Sequence, residues 1–306
     1  MIPPRYIGPV PSTIRRHRDH MALCTAMLSV ALFFSAAPLN AQAEIGIDLG
    51  LFSSYVWRGV TSTNKPVMQP AAYLSIPVAN ASVTLGAWSN IDLGKYDDPA
   101  DDISESGGSS GFNFSEIDPY AEVSFPLGKT TLTGGVLGYV YPNSDSAPNS
   151  SGLTTSDANT VEIYGKLGLD APLSPELSVY YDVNKVKGAY IEGAVSYSLA
   201  ASENISVDLG ALAGFNAGRG IPDDPLSDEM SNYEDDGFTH LDLSAGVPFA
   251  LGTVSIAPVV HFVVNGDDRT KTTSPTDLNE DVKLWGGVSL SWSNTLGPES
   301  PGDDGS

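Results

Sequence analysis

The residues of this sequence whose types and spacing could do chemistry are two histidines, one arginine and a ladder of carboxylates. Folding the chain about Ala250-Leu251 sets His240 opposite His261, with Asp242 two residues away. Two imidazoles and a carboxylate are a donor set for a divalent metal; they are equally a hydrogen-bonded pair at a rim, and we assign no metal. No serine adjoins either histidine, so no nucleophile and base are spelled out, and neither a catalytic residue nor a cofactor is assigned. Arg58 could pair with a carboxylate on a neighbouring strand or serve as a constriction charge. Asp48, Asp92, Glu116, Asp118, Glu122, Glu162, Asp182, Glu192, Asp208 and Asp242 all share one parity as the chain alternates. Few cations stand with them: Arg58, Lys166 and Lys283.

What must position these side chains is a set of strands. Residues 205–215 read Ile-Ser-Val-Asp-Leu-Gly-Ala-Leu-Ala-Gly-Phe, with apolar odd positions and small or polar even ones. Val254, Ile256, Pro258, Val260, Phe262 and Val264 share a face in the same way. This period of two marks a half-buried strand. Twelve such segments are expected, near 45–57, 67–79, 82–92, 115–125, 130–141, 160–169, 177–185, 189–199, 205–215, 238–249, 253–264 and 282–293. Short connections alternate with longer ones, and an even count leaves both chain ends on the short-turn side. This is the connectivity of an outer-membrane barrel with short periplasmic turns and long extracellular loops. A soluble β-sandwich alternates too, but does not call for that loop asymmetry.

Registers follow from the turns. Folding about Ala250-Leu251 pairs Leu241 with Val260, Leu243 with Pro258 and Ala245 with Ile256. Folding about Asn80-Ala81 pairs Val78 with Val83, Ile76 with Leu85 and Leu74 with Ala87. On the apolar face, Tyr55, Trp57, Phe215 and Phe262 lie at outer strand ends and Phe125, Phe249 and Trp292 at inner ends, as an aromatic girdle requires. Pro70, Pro119 and Pro258 fall inside strands, where each removes a ladder hydrogen bond and signals a bulge or a strand boundary.

The amino terminus carries Arg15, Arg16 and Arg18, an apolar run from Met21 to about Ala37, and Ala41-Gln42-Ala43 before Glu44. These are the three parts of a secretory signal peptide, so residues 1–43 are expected to be cleaved. The barrel is expected over 44–293 and a disordered tail over 294–306. Removing 1–43 takes four of the 15 basic and one of the 37 acidic residues, which leaves 11 against 36 and a net charge of −25. The lone cysteine, Cys24, goes with the signal, so no disulfide holds the mature chain. So acidic a chain is a poor partner for nucleic acid and attracts cations. The paired acids of the expected loops, Asp97-Asp98 to Asp267-Asp268, do not fit a calcium-loop spacing and read as solvated surface or loose cation sites.

Ser54-Tyr55-Val56-Trp57-Arg58-Gly59-Val60, followed by Pro66-Val67-Met68-Gln69, resembles the opening of the TorF-type porins. Gly86-Ala87-Trp88-Ser89-Asn90-Ile91-Asp92, Glu116-Ile117-Asp118-Pro119-Tyr120, Val161-Glu162-Ile163-Tyr164-Gly165 and Gly188-Ala189-Tyr190-Ile191-Glu192 are similar to further segments of that family. The resemblance covers most of residues 50–195. It implies an outer-membrane pore and brings no catalytic residues, since the family has no settled substrate. The long acidic insertions depart from its pattern.

The expectation is thus an exported outer-membrane barrel, handled by the barrel assembly machinery and bathed in outer-membrane lipid. Two readings of the interior stand side by side. One is a narrow diffusion pore for small cationic or neutral solutes, lined by Asp48, Arg58, Glu116, Asp118, Glu122, Glu162, Lys166, Asp182, Glu192, Asp208, His240, Asp242 and His261. The other is an interior filled by paired polar side chains, structural or adhesive in role. An outer-membrane hydrolase has no constellation to support it.

Overall fold

The computed structural model describes residues 42–104, 111–142, 159–221 and 231–296. Their strands are β1 (Ala43–Phe52), β2 (Tyr55–Trp57), β3 (Val60–Thr63), β4 (Val67–Val78), β5 (Ala81–Asp92), β6 (Asn113–Leu127), β7 (Thr130–Tyr139), β8 (Thr160–Leu169), β9 (Glu176–Asp182), β10 (Ala189–Ala200), β11 (Ser206–Ala217), β12 (Gly237–Gly246), β13 (Phe249–Leu251), β14 (Val254–Asn265) and β15 (Val282–Leu296). Twelve of them form a closed antiparallel barrel, because β15 pairs back onto β1 from Ala43↔Leu296 to Phe52↔Gly287. β13 prolongs β12 along the edge of β14, while β2 and β3 pair only with each other. Closure leaves no open edge and satisfies the backbone within the wall, the condition for crossing a bilayer with strands.

Alternation decides the two faces of the wall. Ile47, Leu51, Leu167, Leu177, Val195, Leu209, Leu243 and Val260 are exposed on the outside. A continuous apolar band of this kind is stable against lipid and not against water. Phe125, Phe215, Phe238 and Phe262 are exposed on that surface too, and Phe215 and Phe238 meet edge-to-face at 5.7 Å. The buried residues lie inside the barrel at its long-loop end: Val67, Tyr139, Tyr190, Tyr233 and Val263 among Asn90, Asp92, Glu116, Glu162, Asp182 and Arg219.

The structure corrects the expectations at five places. The first segment does not run to Trp57: β1 ends at Phe52, and the chain bends at Ser53-Ser54, where the Ser53 N–H donates to the Gly286 carbonyl at 2.9 Å. Tyr55 and Trp57 therefore leave the girdle and enter the lumen. The 250/251 hairpin turns instead at Gly252-Thr253, with Gly252 at φ 65°, so Leu241 pairs with Val264, Leu243 with Phe262 and Ala245 with Val260. His240 then lies opposite Asn265, and His261 opposite Ser244, so the two histidines are not partners. The Asn80 hairpin likewise turns one position earlier, which pairs Val78 with Ala81, Ile76 with Val83 and Leu74 with Leu85. Finally, Asn294, Thr295 and Leu296 belong to β15, paired with Ile45, Glu44 and Ala43, and not to a tail. The rest of that tail and nearly all of the expected signal peptide lie outside the described residues, as do Asp223-Asp224 and Asp228-Glu229 of the acidic loops.

The strand prolines mark gaps in single ladders. Pro119 pairs with Ala87 of β5, while the β6–β7 ladder breaks between Tyr120↔Leu137 and the isolated bridge Ile117↔Val140. Pro258 sits where β12 gives way to β13, and the Val247 N–H still donates to its carbonyl at 3.0 Å. Pro70 pairs with Leu49 of β1 in a stretch where β4 and β5 are unregistered. The bulges lie elsewhere among the described residues, beside Asn90/Ile91 and Gly214/Phe215 in the wall and Tyr55/Val56 in the β2–β3 hairpin.

Candidate functional site

The lumen is crossed at its long-loop end by the β2–β3 hairpin. Its two-residue turn has Arg58 at φ 48° and Gly59 at φ 84°. Two successive positive φ values are the mark of a type I′ turn, whose twist suits a tight hairpin. Gly59 is required there twice over, since a Cβ would lie 2.7 Å from the His240 ring and 2.9 Å from the Thr270 methyl. The hairpin is pinned from several sides. Lys283 Nζ donates to the carbonyls of Gly59 and Thr270 at 3.1 Å each, and the Tyr233 hydroxyl to the Arg58 carbonyl at 3.1 Å. Thr63 Oγ1 donates to Asp92 Oδ1 at 3.2 Å, and Tyr55 packs on Trp88 at 5.3 Å between ring centroids.

Arg58 reaches across to the wall formed by β7, β8, β9 and β10. Its Nη1 and Nη2 donate to the two oxygens of Glu162 at 2.9 and 2.8 Å, a bidentate, charge-assisted pair. Trp57, Tyr180 and Tyr190 surround the guanidinium, with ring centroids 4.6, 4.2 and 4.5 Å from Cζ. Arg219, from the connection after β11, donates to Glu162 Oε1, and the Tyr139 hydroxyl to Oε2 at 3.0 Å. One carboxylate therefore bridges two guanidinium groups, with side chains only 9, 1 and 1 % exposed for Arg58, Arg219 and Glu162. The β11–β12 connection closes over them: Tyr233 stacks on Tyr190 at 6.2 Å, and Asn232 Oδ1 accepts from Arg219 Nη1 at 3.0 Å. Asp267, after β14, holds that connection by accepting the Glu234 and Asp235 N–H groups. A cavity of about 140 Å³ opens beside the hairpin, lined by Trp57, Glu116, Tyr139, Glu162, Asp182 and Arg219 among others.

The remaining wall residues fall into local sets. Tyrosines lean along the inner wall and donate to carboxylates: Tyr73 to Glu44 at 2.6 Å, Tyr164 to Glu122 at 2.7 Å and Tyr180 to Glu192 at 3.3 Å. Tyr73 covers Gly46, Tyr120 covers Gly86 and Tyr164 covers Gly135, where a Cβ would collide with the ring. Lys166 approaches Glu122 to 3.9 Å. Asp182 is a structural cap, accepting the N–H groups of Asn184, Lys185 and Val186 and the Thr160 hydroxyl. Asp208 accepts from Ser198 and Ser206 at 2.6 and 2.9 Å, and Asp48 pairs in register with Ala71 and Ser291. Glu116 and Asp118 are both buried on β6.

His261 and Asp242 come together diagonally, with Nδ1 2.9 Å from Oδ2, and the imidazole stacks on Trp285 at 4.0 Å. His240 is buried apart from them, its Nδ1 3.0 Å from Thr239 Oγ1. Among the described residues no serine hydroxyl is hydrogen-bonded to either histidine. From the connection between β3 and β4, Lys65 Nζ reaches to 2.7 Å from Asp102 in the loop after β5 and holds its carboxyl below the usual carboxylate range, helped by the Asp98 N–H.

The structure thus joins Arg58 to Glu162, Asp242 to His261 and Lys166 to Glu122, and separates His240 from His261. Sequence reasoning did not anticipate Arg219 or Tyr233, and it read Asp267 as solvated surface or a loose cation site where the structure has it accepting backbone N–H groups. All three lie in connections whose acidic composition reads as solvated loop, and only the Gly218-Arg219-Gly220 interruption could have drawn notice.

In fold the chain is similar to solved outer-membrane barrels. It matches a NanC porin at 9% identity and a TM-score of 0.43, over 81% of this chain and 98% of that one. It matches an outer membrane channel from Pseudomonas putida F1 at 11% identity and a TM-score of 0.42, over 85% and 97%. It matches LpxR from Salmonella typhimurium at 8% identity and a TM-score of 0.42, over 81% and 99%. No curated protein matches. A family described as a bacterial protein of unknown function, Gcw_chp, matches residues 36–225. That span is more than half of the 306 residues, and the chain belongs to the Gcw_chp family.

Proposed function

We propose that the protein is an outer-membrane pore for passive diffusion of small cationic or neutral solutes, narrowed at its long-loop end by the Arg58 hairpin. The observation that carries this reading is the sign of the inner wall. Asp48, Glu122, Glu192, Asp208 and Asp242 share its inward parity, against Lys166 and Lys283, and Lys283 is engaged with backbone carbonyls. Inside a low-dielectric wall such a field is weakly screened; it concentrates cations and repels anions. Export through the periplasm, insertion by the barrel assembly machinery and kinship with the TorF-type porins belong to the same reading, which assigns no catalysis.

A second reading, a non-conducting structural barrel, has one observation in its favour: Arg58, Arg219, Tyr190 and Tyr233 pack almost without exposure across the long-loop end. Twelve strands lie between filled eight-stranded barrels and open porins of sixteen or more, so strand number does not choose between them. Refolded protein in planar bilayers under asymmetric potassium chloride separates the two. Channels with a cation-selective reversal potential are expected. Absence of channels would establish the second reading, and a chloride preference would remove the charge argument.

A further inference from the structure

We propose that the wall around Glu162 is a binding subsite for planar guanidinium cations, occupied here by the protein's own Arg58, and that solutes bearing a guanidinium group are the cations the pore prefers. The proposal rests on the pore reading and gives it a substrate class.

Five observations point this way. Most of the receiving site belongs to the barrel wall: Glu162, Tyr139, Tyr180 and Tyr190 come from four consecutive strands, β7 to β10, and only Trp57 comes from the hairpin. A bidentate carboxylate flanked by aromatic faces matches the planar fork of a guanidinium and not the compact charge of an ammonium. The group that fills it belongs to an inserted segment, since β2 and β3 share no ladder with the barrel. Its placement is also costly. The first central position of a type I′ turn favours asparagine, aspartate or glycine, and an arginine held at φ 48° sits in the left-handed region that L side chains rarely adopt. Turn chemistry therefore does not account for arginine at this position, whereas head-group recognition does. Finally, the cavity of about 140 Å³ reaches Glu162 from beside the hairpin, giving an incoming cation room next to the occupant.

Refolded protein in detergent tests the subsite apart from conduction. Arg58→Ala should vacate the place of Arg58 against Tyr180 and Tyr190 while Arg219 stays on Glu162 Oε1, and methylguanidinium should then shift tryptophan fluorescence saturably and bind at least tenfold tighter than methylammonium. Adding Glu162→Gln should abolish that binding. Equal binding of the two cations, or none by a folded Arg58→Ala barrel, overturns the proposal; Arg58→Gln serves in its place should the alanine variant not refold. With wild-type protein in liposomes, arginine should enter at least threefold faster than lysine, and equal entry overturns the proposed class. A protein that binds methylguanidinium in detergent yet forms no channels would refute the pore reading and leave the subsite standing.

Discussion

Replacing Glu162 with glutamine removes a formal negative charge in contact with two buried guanidinium groups. Glu162 accepts two bonds from Arg58 at 2.9 and 2.8 Å, one from Arg219 and one from Tyr139 at 3.0 Å, and is 1 % exposed. Removing one partner of a buried ion pair costs about 3–5 kcal/mol, chiefly because the remaining charge is stranded. Glutamine keeps one oxygen acceptor for Arg58, Arg219 or Tyr139, so the lower end, about 3 kcal/mol, is the expected value. That cost falls on the docked hairpin and not on the barrel wall, because the hairpin can withdraw while the β1–β15 closure stays intact. About 3 kcal/mol is about a hundredfold in the ratio of withdrawn to docked hairpin. Trypsin reads that ratio directly, since the Arg58–Gly59 bond is shielded when docked and cleavage follows the open population when opening is fast. Cleavage after Arg58 should rise about a hundredfold in Glu162→Gln while the heat-modifiable mobility of the folded barrel is retained. Adding Arg219→Ala to that variant should bring cleavage back toward the wild-type rate, by removing one of the two like charges. A rate in Glu162→Gln within about threefold of wild type, less than about 0.7 kcal/mol, would refute the view that this carboxylate holds the hairpin.

Other outcomes follow from the same structure. Gly59→Ala forces a Cβ toward His240 and Thr270 at φ 84°, and should raise channel conductance with the barrel still folded; unchanged conductance would mean that the hairpin does not limit flow. Ser244→Cys with His261→Cys, directly opposed, should cross-link on oxidation, whereas His240→Cys with His261→Cys should not; the reverse would restore the register expected from sequence. Asp208→Cys should react with a water-soluble thiol reagent in liposomes and Leu209→Cys should not, because the two take opposite faces of β11. The Asp102 carboxyl is held below its usual range by Lys65, so this contact contributes above the unfolded pKa of about 4 and is lost as pH falls through the lower folded value. Protease nicking of residues 97–102 should accordingly rise on acidification below about pH 4, and Asp102→Asn should show the higher nicking already at neutral pH.

Faces and strand order were legible from sequence because the period of a strand is two. The hairpin at Gly252 slipped by four residues against its expected pairing, and the one at Ala79-Asn80 by two. An even slip carries every side chain to the same face, so the inward parity of Asp242 and His261 survived while the partnership of His240 with His261 did not. Odd parity also misled. Tyr55 and Trp57 continue the rhythm of Ile45, Ile47, Leu49 and Leu51, and nothing in that rhythm reveals that the chain leaves the sheet at Ser53. What draws the hairpin inward is Glu162, 104 positions away, and no local pattern encodes a contact of that span. Arg219 and Tyr233 escaped notice for the same reason.

That span also carries a consequence for assembly. Arg58 emerges immediately after the first stave, yet its receiving wall exists only once β7 to β10 are in place. Until then the hairpin has no anchorage, since closing so long a loop carries an entropic cost that only the completed wall can offset. Docking is therefore a late event, and it inspects the middle of the barrel on behalf of its beginning. A chain misaligned between β7 and β10 would leave Arg58 without its partner and the hairpin unlatched, a defect open to proteolysis in a barrel whose staves are otherwise closed.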